Sequence, residues 1–404
     1  MNASPAPVPA RLLYRAALLL FTITIVIGIL NGTDLVRFDR NALLTHLHAG
    51  TLGWITLGVL GTLVWIFGLD DTPSSGRVLA WLSVGTIGLY IIGFWTGDRV
   101  LRPVAGSAAL IPIVGGILWA FRRKVRVTGD TLRLGLVLAL VSLSIGGLLG
   151  ILLGLRRTGV INWIPPEALE AHPPQLIAGY VFLAGAVLAE WLLVGEDGTE
   201  RKSRLGQIHV WLIFAAGMLM GSGLVLDLSL LSLLGLPVSV VAVALIPIRM
   251  RSRIRSTSWS HPSESRYASS GIIWLVAAFA VFGYMSAAFP EGFPHYLTVV
   301  FFHALFVGGL TNILLGVVRR ASGELKPGRA LGETVYWGLN SGVLIFIAGF
   351  LFDVSIFVRL GTSILGVGLL VAVAVYVIRL GGQPSHHDSD LRSSASSSAP
   401  NLSA

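Results

Sequence analysis

Apolar runs of about 18 to 25 residues recur along the whole chain, each the length that an α-helix needs to cross a roughly 30 Å hydrocarbon core. A segment inside a bilayer must satisfy its own backbone polar groups, so runs of this kind specify helices. The expected fold is therefore all-α: a polytopic membrane protein with about twelve transmembrane helices in three pseudo-repeated four-helix units. Of 404 residues, 54% are hydrophobic and 12% charged, which leaves little chain for soluble domains. Residues 1–380 read as one transmembrane domain, with units at about 13–121, 131–249 and 270–380, and the Ser-rich stretch 381–404 as a disordered cytoplasmic tail. The first run follows Arg11 and Arg15 as a signal peptide would, but "NGTDLVRFDRN" after it carries no small-residue cleavage pattern, so it reads as a retained helix.

Basic residues set the expected orientation. Of the 29 Lys and Arg residues, 22 fall at the N-terminus, in the even-numbered connections or in the tail, and seven in the odd-numbered connections. Basic loops favour the cytoplasm, so both termini are expected inside a plasma membrane of prokaryotic type. Clusters such as "FRRKVR" and "RMRSRIR" account for much of the +9 charge, which suits topology and anionic lipid rather than nucleic acid.

The chain has no cysteine, which excludes disulfides, iron–sulfur clusters and covalent haem attachment through Cys-x-x-Cys-His. A metal here would rest on histidine, carboxylate, Met or Tyr. His386, His387 and His261 fall in polar stretches and read as solvated. His46 and His48 stand at the start of the second span, His172 at the start of the sixth, and His303 inside the tenth. The intervals from His46 to His172 and from His172 to His303 are 126 and 131 residues, near one third of the chain, and a Gly follows each site by six or seven residues (Gly53, Gly179, Gly309).

All three spans run from the outer to the inner face, so these histidines share the outer half of the membrane. His303 is expected about 12 Å down its helix at about 1.5 Å per residue, a depth that demands pairing, hydration or a metal. His209 opens a span of the opposite sense and reads as interfacial or lipid-facing, and His295 reads as an outer loop residue. Glu190, near the cytoplasmic end of span 6, is either a buried carboxylate or a snorkelling one, and Asp353 sits at a short turn.

Twelve spans with outer-half histidines on spans 2, 6 and 10 resemble the haem–copper oxidase subunit I superfamily over residues 13 to 380. That resemblance implies a haem held by His46 or His48 together with His303, and it implies copper at His172, whose "HPPQL" matches the start of the family's His-Pro-x-x-Tyr motif. Leu176 replaces the redox tyrosine, with Tyr180 a turn later. "GMLMGSGLVLD" in span 7 lacks the paired copper histidines, and "FFHALF" in span 10 has one histidine where the oxidases have His-x-His. Proton-pumping dioxygen reduction is therefore not expected. The segment "FFHALFVGGLTNILLGVVRRASGELKPGR" is similar to the NnrS group, twelve-span proteins associated with haem, copper and resistance to nitric oxide.

The resemblance thus implies haem as cofactor, copper as a second metal on His48, His172 and His303, nitric oxide as a gaseous ligand and a redox partner protein in the bilayer. On a helix, residues i and i+2 point about 200° apart, so only one of His46 and His48 can face a given axial position. His48 is the slightly favoured ligand because it lies deeper. Arg99 and Arg102, in "GDRVLRPV", are expected to pair haem propionates or to anchor the membrane surface. Trp54 and Phe302 would wall the haem pocket. A twelve-span transporter of a small solute and a non-catalytic haem sensor or assembly factor are the alternatives.

Overall fold

The computed structural model describes residues 6–68, 74–123, 125–195, 198–289, 291–323 and 327–382. The tail reading, with His386 and His387, falls outside these except for Gly381 and Gly382. Among the described residues the fold is all-α, and twelve helices are long and apolar enough to cross a membrane. Spans 1 to 4 are Val8–Gly32, Arg40–Phe67, Ser74–Thr96 and Leu101–Arg122; spans 5 to 8 are Thr131–Arg157, Glu167–Val194, Arg204–Val225 and Ser229–Arg255; spans 9 to 12 are Glu264–Ala288, His295–Ala321, Arg329–Leu351 and Ser355–Gly381. The protein is an integral membrane protein. Large apolar side chains such as Trp81, Ile111 and Leu233 are at least 60% exposed on the outside of the bundle, where lipid would cover them.

Burial sorts the spans into an inner three and an outer nine. In spans 2, 6 and 10, respectively 83%, 78% and 72% of an apolar 18-residue window is buried, against 28–44% in every other span. Glycine lets the helices close up where a side chain would collide: Gly217 of span 7 lies against the backbone of Gly179 in span 6, and Gly338 of span 11 against Gly368 of span 12.

On the face of the odd-numbered connections, spans 1, 7 and 11 end on an aspartate in the left-handed region: Asp34 (φ 60°), Asp227 (φ 54°) and Asp353 (φ 54°). Asp tolerates this conformation better than most residues. The N–H of Leu35, Leu228 and Val354 then reaches back five residues to the carbonyls of Leu30, Gly223 and Gly349, at 3.0, 2.8 and 2.8 Å, which closes each helix end. Asp353 is thus a helix terminator.

On the opposite face one buried network ties four spans. Glu190 Oε1 accepts from Thr131 Oγ1 and Arg249 Nη2, both at 2.9 Å, and Oε2 accepts from Arg249 Nη1 at 3.0 Å. Arg249 Nη1 also donates to His209 Nδ1 at 2.8 Å, and His209 Nε2–H donates to the Ala242 carbonyl at 2.8 Å. His209 is therefore neither interfacial nor lipid-facing: the residue is 2% exposed. Its sequence position specified the membrane face but not the partner, which is 40 residues away on span 8. Glu190 is a buried carboxylate that does not snorkel. His209→Ala removes the partners of one Arg249 N–H and one carbonyl, and is expected to cost about 1–3 kcal/mol in thermal unfolding.

Candidate functional site

Spans 2, 6 and 10 share a backbone irregularity beside their histidines. The α-helix widens to π-helical geometry over Ala49–Thr56 after His48, over Leu176–Val181 after His172 and over His303–Thr311. Such widened turns often mark functional positions. Each frees backbone carbonyls that hydroxyls then take up: Thr56 Oγ1 donates to Thr51 O at 3.1 Å and Thr311 Oγ1 to Phe306 O at 3.0 Å, five residues back in both cases. The widened turns also bond to one another. Trp54 Nε1 donates to Thr311 Oγ1 at 3.1 Å, and Thr56 Oγ1 pairs with the Tyr180 hydroxyl at 2.9 Å, so span 2 is joined to both span 10 and span 6. Thr56→Val is expected to leave the buried Tyr180 hydroxyl unpaired and to destabilise the protein by about 1–3 kcal/mol in a thermal melt, whereas Thr56→Ser should largely retain the bond.

The first cavity, of about 1160 Å³, lies between spans 1, 2, 10, 11 and 12. His46 and His303 both line it, with Phe21, Trp54, Phe302 and Phe346 among its walls. His46 Nδ1 lies 2.9 Å from the Thr24 carbonyl of span 1, and His303 Nδ1 lies 2.8 Å from the Val299 carbonyl one turn earlier in its own helix. A carbonyl only accepts, so Nδ1 carries the proton in each ring and Nε2 keeps its lone pair. Gly28, one turn after Thr24, makes room for the imidazole: a Cβ there would come 3.1 Å from His46 Cε1. The mouth, on the odd-loop face, carries Asp34, His295, Asp353 and Arg359. Arg359 Nη2 pairs with Asp34 Oδ2 at 2.9 Å, largely exposed. His295 opens span 10 as an exposed residue of its first turn rather than lying in a loop.

A second cavity, of about 570 Å³, lies on the other side of span 2, between spans 2 to 6. His48 and His172 line it. His48 Nδ1 lies 2.7 Å from Leu44 O, one turn back in its own helix, and His172 Nδ1 lies 2.6 Å from Gly146 O of span 5. The His48 ring stacks on Phe94 at 3.9 Å between centroids. The two cavities share Leu47, Thr51, Ile55, Phe302 and Phe306, so a single layer of side chains divides them.

The two histidines of "HLH" thus face different cavities, as their i, i+2 spacing requires. Depth favoured His48 as the partner of His303; the structure pairs His46 with His303 and His48 with His172. Arg99 and Arg102 stand at the mouth of the second cavity, not the first. Arg102 Nη2 donates to Asn41 Oδ1 at 2.8 Å and to Phe94 O at 3.2 Å. Asp98 caps the turn that carries them, accepting from Leu101 N and Val100 N at 2.8 Å each. These N–H groups hold the Asp98 carboxyl below the usual carboxylate range. The carboxylate cap therefore persists through that range and is lost only as pH falls below it.

Repeat register also differs from the spacing of the motifs. His48 and His303 are both held by their own preceding turn, with Gly five residues on (Gly53, Gly308) and Thr eight residues on (Thr56, Thr311). His46 and His172 are both held by the carbonyl of the preceding span. In this register Pro174 and Phe301 occupy the remaining two positions. Phe301 packs at a tilt against Phe282 of span 9, 5.6 Å between centroids, and Phe282 against Phe279 at 6.2 Å. His48 and His172 line the second cavity and His303 the first, so the three do not share one position.

Spacing alone missed the acceptors Thr24 and Gly146 and the clearances Gly28 and Gly150. Both form a small-x-x-x-small pair, a signal of close helix approach legible in the sequence. No family model matches the chain, and no curated protein matches it.

Proposed function

We propose that this chain is a haem-binding integral membrane protein, a divergent relative of the haem–copper oxidase subunit I and NnrS groups, with a haem held in the first cavity by His46 and His303. The observation that carries this reading is the shared state of the two rings. Both line one apolar cavity inside the membrane, both spend Nδ1–H on a backbone carbonyl, and both thereby present an unprotonated Nε2. A metal-bound imidazole is oriented in this way, its second nitrogen donating to a carbonyl or carboxylate. The cavity exceeds the roughly 300–1,000 Å³ of ordinary small-molecule pockets and suits a large flat ligand.

His46 and His303 would hold the haem, which would supply one-electron transfer when bound. The residues around it do the rest: Phe21, Trp54, Phe302 and Phe346 exclude water, and Arg359 at the mouth is placed to meet a propionate. The favoured role is electron transfer to or from a redox partner, on the outer side of a plasma membrane if the basic loops face inward. Copper fits less well, since His172 shares its cavity with one histidine and no carboxylate lines it.

A reduced-minus-oxidised spectrum of the purified chain tests the role. Sharp low-spin bands unmoved by carbon monoxide or nitric oxide are expected. Bands that shift on gas addition would replace electron transfer with gas binding, as in nitric oxide chemistry or sensing. His209→Ala, which acts at the far face of the membrane, is expected to leave these bands unchanged.

A further inference from the structure

The second cavity repeats the chemistry of the first with a different set of residues. Each cavity has one histidine held by the carbonyl of a neighbouring span and one held by its own preceding turn: His46 and His303 in the first, His172 and His48 in the second. Each cross-held ring also rests against a glycine four residues beyond its acceptor. Thr24 and Gly28 serve His46, and Gly146 and Gly150 serve His172, where a Cβ on Gly150 would come 2.8 Å from the ring. The carbonyls again leave Nε2 unprotonated on both rings.

The mouths differ in charge. Four arginines line the second cavity, Arg40, Arg99, Arg102 and Arg157, and no carboxylate lines it with them. Asp98, at the turn between spans 3 and 4, is committed to its own backbone N–H groups. Guanidinium groups above an apolar cavity with no carboxylate in its lining select an amphiphile with carboxylates at one edge, since a planar guanidinium pairs bidentately with a carboxylate. Two neutral imidazoles below them select a metal within a flat apolar ring.

We infer that the cavity between spans 2 to 6 is a second haem site, in which His48 and His172 would hold the haem and the arginines at its mouth would receive the two carboxylates. The inference extends the haem reading of the first cavity but rests on other residues. In this arrangement the single "HLH" motif of span 2 serves both groups, one histidine to each side, and Phe302 and Phe306 lie between them. Pro174 and Phe301, at the two remaining register positions, supply no ligand, so among the described residues the device occurs twice.

Haem content per chain, measured as the pyridine haemochrome on the purified full-length protein, tests the inference. The wild type is expected to hold two haems, and His172→Gly and His303→Gly one each. Free imidazole should return His172→Gly to two, which a merely structural role of His172 would not produce. A wild type with one haem that His303→Gly removes would overturn the second site and uphold the first. A wild type with two haems, both retained by His303→Gly, would overturn the first-cavity assignment instead. Wild-type content is decisive even if a variant fails to fold. An anionic lipid copurifying with a one-haem wild type would mean that the arginines serve a lipid headgroup, and would also overturn the inference.

Discussion

His303→Ala is expected to empty the first cavity of haem, while the chain keeps its fold. The ring is one of two imidazoles on that cavity, and its Nδ1–H is satisfied within its own helix at Val299, so its removal breaks no bond between spans. Phe346, whose ring lies 4.5 Å from that of His303, loses one neighbour. The stability cost should therefore stay in the ordinary range for a point substitution, about 0.5–3 kcal/mol. The loss of the imidazole proposed to hold the haem is the larger effect, and first-cavity haem should fall below detection in the purified variant. His303→Met, which offers a thioether in place of the imidazole, should retain haem with shifted bands. Full occupancy in His303→Ala would remove His303 from the ligand set. His46→Ala should lose the same haem with a greater cost to the fold, because His46 also ties span 2 to Thr24 of span 1.

Glu190→Ala should produce the largest loss of stability among substitutions away from the cavities. Both Glu190 oxygens are engaged, and the Glu190 and Arg249 side chains are 4% and 5% exposed. The variant leaves a buried guanidinium with His209 as its remaining side-chain partner. Removing one member of a buried ion pair costs about 3–5 kcal/mol, and the four spans joined here should loosen together. Glu190→Gln keeps two acceptor or donor contacts and should cost less. A melting temperature unchanged in Glu190→Ala would show that water or lipid headgroups reach Arg249. Haem content should follow stability in this variant without a change in band positions, since neither Glu190 nor Arg249 lines either of the two cavities.

Legibility in the sequence followed the range of the interaction. Span number and the all-α class depend on local apolar run length, and the twelve spans of the structure match the twelve runs. That His46, His48, His172 and His303 lie towards one face depends on span parity alone and was equally legible. Pairing across cavities was not, because it depends on helix rotation. The 100° turn per residue showed that His46 and His48 diverge, but only packed neighbours decide which faces Thr24 and span 1 and which faces Phe94 and span 3. Spacing also misled where the units are unequal: His172 and His303 stand in different registers, two residues apart, and only the hydrogen bonds of their rings reveal it. Arg99 and Arg102 were recognised as candidates for carboxylates, yet their cavity was fixed by span 4, whose position no local pattern encodes. His209 was misplaced for a similar reason, since its partner Arg249 lies on the next span of the same buried network.

An absorption spectrum of the purified, detergent-solubilised chain, combined with iron analysis, tests the central claim most directly. A Soret band with stoichiometric iron, lost from the first cavity in His303→Ala, is the result expected of a haem held by His46 and His303. A chain purified folded from haem-replete cells with no Soret band and no iron would contradict it, and would favour a small-solute transporter built on the same twelve spans.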